Sequence, residues 1–311
     1  MATLYEQIVD AMGEMFGVHP GYRAAHAKGV FCRGNFTASA EAADLSRAGH
    51  LQGDPVEVSA RFSNGSGKPE APDADRRDGR GLAVKFLLPD GGDTDIVSIS
   101  IPVFFVRTGE DFLAFTEARR PGPDGELDME RVGAFLGEHP ETAEALQSIL
   151  PALTPPASYA QVTYRGLHAF GLIDASGERR FVRYRFVPEA GERMLWDDEI
   201  DAADSDYLQA EIKQRLAAGP VRFELRAQLA GDGDSLTDPT VAWPQDRPDV
   251  ALGTLELSEL DAESEADGGV VVFDPMNVTD GIECSDDEIL SARSRAYSVS
   301  IERRAAARAA G

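Results

Sequence analysis

Hydrophobic and polar residues alternate with a period of two through most of the chain from residue 28 onward, the pattern of half-buried strands. Residues 56–63 (VEVSARFS) alternate in this way. Two further runs, GLAVKFLL at 81–88 and DIVSISIPVFFV at 95–106, flank Pro89-Asp90-Gly91-Gly92, which predicts a hairpin. Residues 161–173 and 180–187 flank Asp174-Ala175-Ser176-Gly177, and residues 221–229 and 251–257 alternate again, so at least seven strands are expected. Helices are expected at 3–15, at 110–119, at 128–150 with a break near Pro140, and at 204–218. A last helix opens on Ser285-Asp286-Asp287-Glu288, a capping-box sequence with acids where the helix dipole favours them, and carries Arg303, Arg304 and Arg308 towards its far end. No repeat or low-complexity linker divides the chain. The pattern predicts one domain over residues 1–311, an α+β fold in which helices are appended to a closed antiparallel β-barrel of about eight strands.

Composition narrows the partners. The 311 residues are 42% hydrophobic, enough for a sizeable core, and carry a net charge of -24. Polyanions are bound by clustered Lys and Arg, so neither nucleic acid nor an anionic membrane surface is an expected partner. Lysine occurs only at Lys28, Lys68, Lys85 and Lys213, leaving 30 − 4 = 26 arginines. A high-salt habitat and genomic base composition both account for the acidic excess, and solubility is its one physical consequence. Cys32 and Cys284 match no metal-binding spacing; two thiols suit a reducing compartment best, with a disulfide between them left open. The N-terminus has no basic segment followed by an apolar run, and no stretch is long enough to span a bilayer, so a cytoplasmic protein is expected. For the same reason the glycosylation sequon at Asn277-Val278-Thr279 is without consequence.

The chemistry concentrates near the C-terminus. In a helix, Arg293, Tyr297, Ile301 and Arg304 share one face, so two guanidiniums flank a phenol. A fixed positive charge beside a phenol favours the phenolate, which is an anionic metal ligand, and tyrosinate on haem iron is one known use of it. An exposed arginine-rich amphipathic helix would show the same four residues. A peroxide-handling haem site also needs an acid–base group, apolar walls and cations for the propionates. Among five histidines, His26 in Tyr22-Arg23-Ala24-Ala25-His26 stands beside an arginine and is the candidate proton shuttle.

These segments resemble the catalases, and most of all the small catalase-related haem peroxidases. The resemblance rests on RAAHAKG (23–29), ARFSNG (60–65), DGRGLAVKF (78–86), DIVSISIPVFFVR (95–107), GLHAFGLI (166–173), FDPMNVTDGIECSDDEIL (273–290) and RSRAY (293–297), in the family's order. It implies a haem, of type b, with Tyr297 as the proximal ligand and Arg293 holding it as phenolate. It implies Arg23, Arg61 and Arg304 as propionate clamps, His26 as the distal acid–base residue with Ser63 orienting its ring, and Phe104, Phe105 and Phe112 against the porphyrin. His168 also lies in a matching segment, but strand packing accounts for it equally well. Taken singly, each of these residues has an ordinary structural explanation; what favours the site is that all the roles converge on one ligand.

Two departures from the family pattern shape the expectations. Where catalases read Asn-Asn-Thr-Pro, this chain reads Ile99-Ser100-Ile101-Pro102, so Ile99 stands at the distal asparagine's position. Ser98 and Ser100 point the other way unless a bulge intervenes. The expected activity is a peroxidase that reduces hydrogen peroxide or organic hydroperoxides with a small-molecule reductant, with weak or absent catalase activity. The alternatives are a fatty-acid hydroperoxide isomerase or dehydratase resembling the allene oxide synthases, and a haem-holding protein without turnover. The chain stops at Gly311, seven residues past Arg304, which suggests a minimal barrel core, a homodimer, and no nicotinamide site.

Overall fold

The computed structural model describes residues 2–262, 264 and 271–309. Ten strands form one sheet: β1 (Gly29–Ala38), β2 (Val56–Asn64), β3 (Arg80–Leu87), β4 (Asp93–Ile99), β5 (Tyr164–Arg165), β6 (Phe170–Ile173), β7 (Arg179–Pro188), β8 (Val221–Leu229), β9 (Asp249–Leu260) and β10 (Ile282–Cys284). The ladder runs β7-β5-β4-β3-β2-β1-β9-β8, and β8 pairs back onto β7, closing an eight-stranded antiparallel barrel. β6 and β10 extend it beside β7. Inward residues such as Phe36, Phe62, Phe86, Phe186 and Phe223 are fully buried, each burial stabilising the fold by roughly 1.5–3 kcal/mol. Closure requires one glycine in particular: a Cβ on Gly34 would lie 1.8 Å from the Glu256 carbonyl, at a register shift between β1 and β9.

Among the described residues eight helices surround the barrel: α1 (Leu4–Phe16), α2 (Ala40–Leu45), α3 (Gly109–Ala118), α4 (Met129–Glu138), α5 (Pro140–Ala152), α6 (Asp197–Ala202), α7 (Tyr207–Ala218) and α8 (Glu288–Ala309). A second apolar cluster lies outside the barrel, built from Ile101, Val103, Phe104, Phe115, Phe135 and neighbours on α3 to α5. The site lies against this outer layer. Among the described residues no helix is long and apolar enough to cross a membrane, and the two cysteines form no disulfide.

Four expectations need correction. The strand anticipated at 95–106 ends at Ile99; the chain then turns towards Pro102, which has no N–H to donate, and the Phe104 N–H bonds the Pro239 carbonyl instead. The run at 161–173 is two strands, interrupted where buried His168 leaves the ladder to meet Asp287. The helix expected from 204 begins at Tyr207. The last helix is capped by Asp287, whose Oδ1 accepts from the Ile289 and Leu290 N–H groups, and not by Ser285.

Candidate active site

The burial of β2 alternates over Val56–Ala60, with Glu57 exposed, and then fails: from Arg61 onward both faces are covered. That loss of alternation marks where the outer wall of the barrel carries a site. The next rung across the wall is Gly29, Ser63, Gly81 and Ile99, one residue from each of β1 to β4. Directly opposed residues of antiparallel strands share a face, so the two glycines leave room on either side of Ser63. A Cβ on Gly81 would lie 2.7 Å from Ser63 Oγ and 3.0 Å from His26 Nδ1. The space cleared by Gly81 is therefore where the His26 ring rests.

His26 reaches that space from the segment before β1, in a left-handed backbone conformation (φ 56) that costs a non-glycine residue about 1–2 kcal/mol. Its N–H bonds the Gly65 carbonyl, and the next N–H, of Ala27, bonds the Ser66 carbonyl, so the strained residue is held from both sides. Its Nδ1 lies 2.9 Å from Ser63 Oγ, while Nε2 has no protein partner among the described residues. Burial, and then the charges of Arg61, Arg293 and Arg23, push the imidazole down to about 3. It is a neutral base at physiological pH.

Three guanidiniums meet at the adjoining edge. Arg61 donates to the His26 and Ala27 carbonyls at 2.9 and 3.1 Å, and Arg23 to the Val271 carbonyl at 3.0 Å. Both lie over the Phe31 ring, with Cζ 5.5 Å from its centroid. Burial first, and then Arg61 and Arg304, lower Arg23 to about 8. Like charges gathered in a partly closed place call for an anion, and a planar pair of carboxylates suits their forks.

The other side of the site is built on α8. Arg293 donates from Nη2 and Nε to the Tyr297 oxygen at 3.0 and 3.3 Å. Its Nη1 lies 2.9 Å from His168 Nε2, and His168 Nδ1 lies 2.6 Å from Asp287 Oδ2. A carboxylate only accepts, so Nδ1 carries the ring proton and Nε2 accepts from Arg293. Four residues thus form one directed chain, Asp287 to His168 to Arg293 to Tyr297. His168 and Asp287 are the functional partners that sequence reasoning missed: they stand 119 positions apart, and only the interrupted strand at 166–169 hints at them.

The remaining predicted residues are gathered as well. Phe104 and Phe105 stack at 4.4 Å, and Phe112 lies 6.1 and 5.6 Å from them. Phe104 also packs 6.3 Å from the His168 ring, which ties this wall to the α8 side. The two ends of the chain meet where the Ala24 N–H approaches Ser300 Oγ at 3.4 Å. A phenol oxygen already accepting two bonds, an aromatic wall and a cationic edge together fit a haem with its propionates.

A closed barrel carrying this constellation on its outer wall defines a class, and the chain belongs to the catalase family, whose model matches residues 20–310. Within the family it is similar to small members: the catalase-related peroxidase of Mycolicibacterium paratuberculosis is 45% identical over 96% of this chain and 94% of that protein, and the catalase-related peroxidase of Synechococcus elongatus is 38% identical over 96% and 88%. The chain covers 39% of catalase A of Emericella nidulans at 31% identity. Its fold matches that of a fungal catalase with a TM-score of 0.82, covering 96% of this chain and 62% of that one at 24% identity.

Proposed function

We propose that this protein is a haem b peroxidase that reduces hydrogen peroxide and organic hydroperoxides at the expense of a small-molecule reductant, and that it dismutates peroxide poorly. The observation that carries this reading is the directed chain from Asp287 to the Tyr297 oxygen, lying in one site with a neutral His26–Ser63 pair. Haem, when bound, would supply the redox centre for the two oxidising equivalents of the peroxide, shared between iron and porphyrin. Tyr297 would be its ligand, with the Nε and Nη2 N–H bonds of Arg293 aimed at the ligating oxygen. His168 and Asp287 spend the third Arg293 contact and fix the guanidinium's plane. Arg23, Arg61 and Arg304 would hold the propionates, with Phe104, Phe105 and Phe112 against the ring.

On the distal side, His26 Nε2 accepts the proton of the bound peroxide and returns it to the departing oxygen. Ser63 keeps the ring in place from Nδ1. The balance is one peroxide, two electrons and two protons to one alcohol, or water, and one water, with the electrons drawn from the reductant. Dismutation instead requires a second peroxide to be held as the donor, which calls for a hydrogen-bond donor in the wall. β3 and β4 pair without a bulge from Gly81↔Ile99 to Leu87↔Asp93, so Ile99 faces the His26 side. Ser98 Oγ donates to the Leu82 carbonyl and Ser100 Oγ accepts from the Arg80 N–H, so both hydroxyls are held on the β3 backbone. Neither hydroxyl replaces the missing amide.

The test is to supply hydrogen peroxide and a lipid hydroperoxide with and without a dye reductant. Turnover that depends on the reductant, with oxygen evolution far below that of ordinary catalases, is the expected result. Consumption of the lipid hydroperoxide at the same rate without reductant would instead indicate an isomerase. Haem uptake with no turnover of any peroxide would indicate a carrier, for which the His26–Ser63 pair has no use.

A further inference from the structure

His139 stands where α4 ends and α5 begins, and its ring stacks on Phe135, one turn back, at 4.1 Å. Its backbone is fixed as well: its N–H bonds the Phe135 carbonyl, its own carbonyl accepts from the Thr142 and Ala143 N–H groups, and Pro140 follows. Nδ1 faces two carboxylates from different helices, Asp111 Oδ1 on α3 at 3.8 Å and Glu141 Oε1 on α5 at 3.4 Å. The three ligand atoms all lie within 4.8 Å of one another, and among the described residues no other trio of His, Cys, Asp or Glu side chains comes together in this way. Neither carboxylate has an arginine or lysine partner among the described residues, whereas Glu211 and Asp249, comparably half-buried, are each paired with arginine. The first turns of α3 and α5 account for an acid at each position, because helix N-termini favour negative charge. They do not account for the convergence of both acids on one imidazole nitrogen.

We propose that Asp111, His139 and Glu141 bind a divalent metal ion of the Zn²⁺ or Mn²⁺ class, which ties α3 to α5. Tetrahedral ligation at about 2.0–2.2 Å sets ligand atoms about 3.3–3.6 Å apart, so separations of 3.4 and 3.8 Å from Nδ1 need only small side-chain adjustments. One imidazole with two carboxylates suits these ions, whereas Ca²⁺ and Mg²⁺ are held by oxygens alone. Three protein ligands leave a position for water, and the half-buried setting gives the ion access from solvent. The site is separate from the one proposed for haem, but it acts on the same wall. Asp111 precedes Phe112, whose ring lies 5.6 Å from Phe105, so an ion on Asp111 braces the start of α3 from outside the aromatic cluster.

The experiment titrates Zn²⁺ into the purified protein by calorimetry, after a chelator and gel filtration have removed adventitious metal, in wild type, His139→Asn and Asp111→Asn. Asparagine is a favourable helix cap at 139 and close in shape to aspartate at 111, so both substitutions are mild for the fold. The wild type is expected to bind a single Zn²⁺ saturably, and each variant to bind it at least about tenfold more weakly. The wild-type melting midpoint should rise with Zn²⁺ concentration, and excess Mg²⁺ should not displace the ion. Should a variant fail to fold, the wild type still answers: Zn²⁺ should shield His139, and not His19, from carbethoxylation mapped by mass spectrometry. Absence of saturable binding, unchanged affinity in either variant, or modification of His139 that is indifferent to Zn²⁺ overturns the site. Each of these outcomes leaves the peroxidase reading intact, since that reading rests on other residues.

Discussion

The two sides of the site are built on opposite principles. On the α8 side, four polar residues from two parts of the chain make a continuous series of hydrogen bonds, with Asp287 and His168 almost wholly buried. On the distal side, one imidazole and one hydroxyl stand against Ile99 and the phenylalanine cluster. Buried polar networks specify a single geometry when every member is satisfied, and they are correspondingly intolerant of change. A hydrocarbon wall holds no peroxide in a fixed pose, but it admits larger ones. Under the function proposed above, the α8 side would fix the chemistry and the Ile99 side would select which peroxides are served.

Removing the distal base should have the largest effect. His26→Ala is expected to lower peroxide cleavage by about 10²–10⁴-fold while haem binding persists, measured by stopped-flow turnover and the Soret absorbance. Equal turnover in the two proteins would leave the distal assignment without support. Gly81→Ala tests the room that the imidazole needs. The added methyl would meet Ser63 Oγ at 2.7 Å and the His26 ring at 3.0 Å, and displacement of the ring by about 1 Å should cost on the order of 10²-fold in kcat/KM. Restoring a donor with Ile99→Asn should raise oxygen evolution by roughly tenfold, read with an oxygen electrode; an unchanged rate would mean that the wall does not limit dismutation.

The smallest effect expected is a pH effect on the fold. His50 is 1% exposed between Phe36 and Phe86, its Nδ1 has no hydrogen-bond partner among the described residues, and burial lowers it to about 4. The folded chain refuses a proton that the unfolded chain accepts below about 6.5, so stability is full above that pH and falls as the pH drops towards 4. The loss is at most about 3 kcal/mol. Urea midpoints between pH 7.5 and 4.5 should shift more in wild type than in His50→Leu; parallel curves would contradict this.

Most of the barrel was legible because its strands are buried on one face, and alternation reports that directly: residues 221–229 are predicted and observed with the same bounds. Legibility failed where tertiary partners override local pattern. DIVSISIPVFFV reads as one long strand, yet beyond Ile99 its residues build the wall of the site instead of the barrel. The capping residue of α8 was misread because Asp287 serves two purposes, closing the helix with one oxygen and holding His168 with the other. Tyr297 and Arg293 could be paired from helical spacing alone, and the structure brings them together. The His168–Asp287 contact could not, since nothing local to either residue points to the other.

The central claim is that the Tyr297 oxygen, held by Arg293, is the axial ligand of a bound haem. It is tested most directly by titrating haemin into purified wild-type protein and a Tyr297→Phe variant while recording the visible spectrum before and after peroxide. Stoichiometric uptake by the wild type, with a spectrum that changes on adding peroxide and a different, weaker spectrum in the variant, is the predicted result. A wild-type protein that stays colourless, or a Phe variant with the same spectrum and the same response to peroxide, would contradict it.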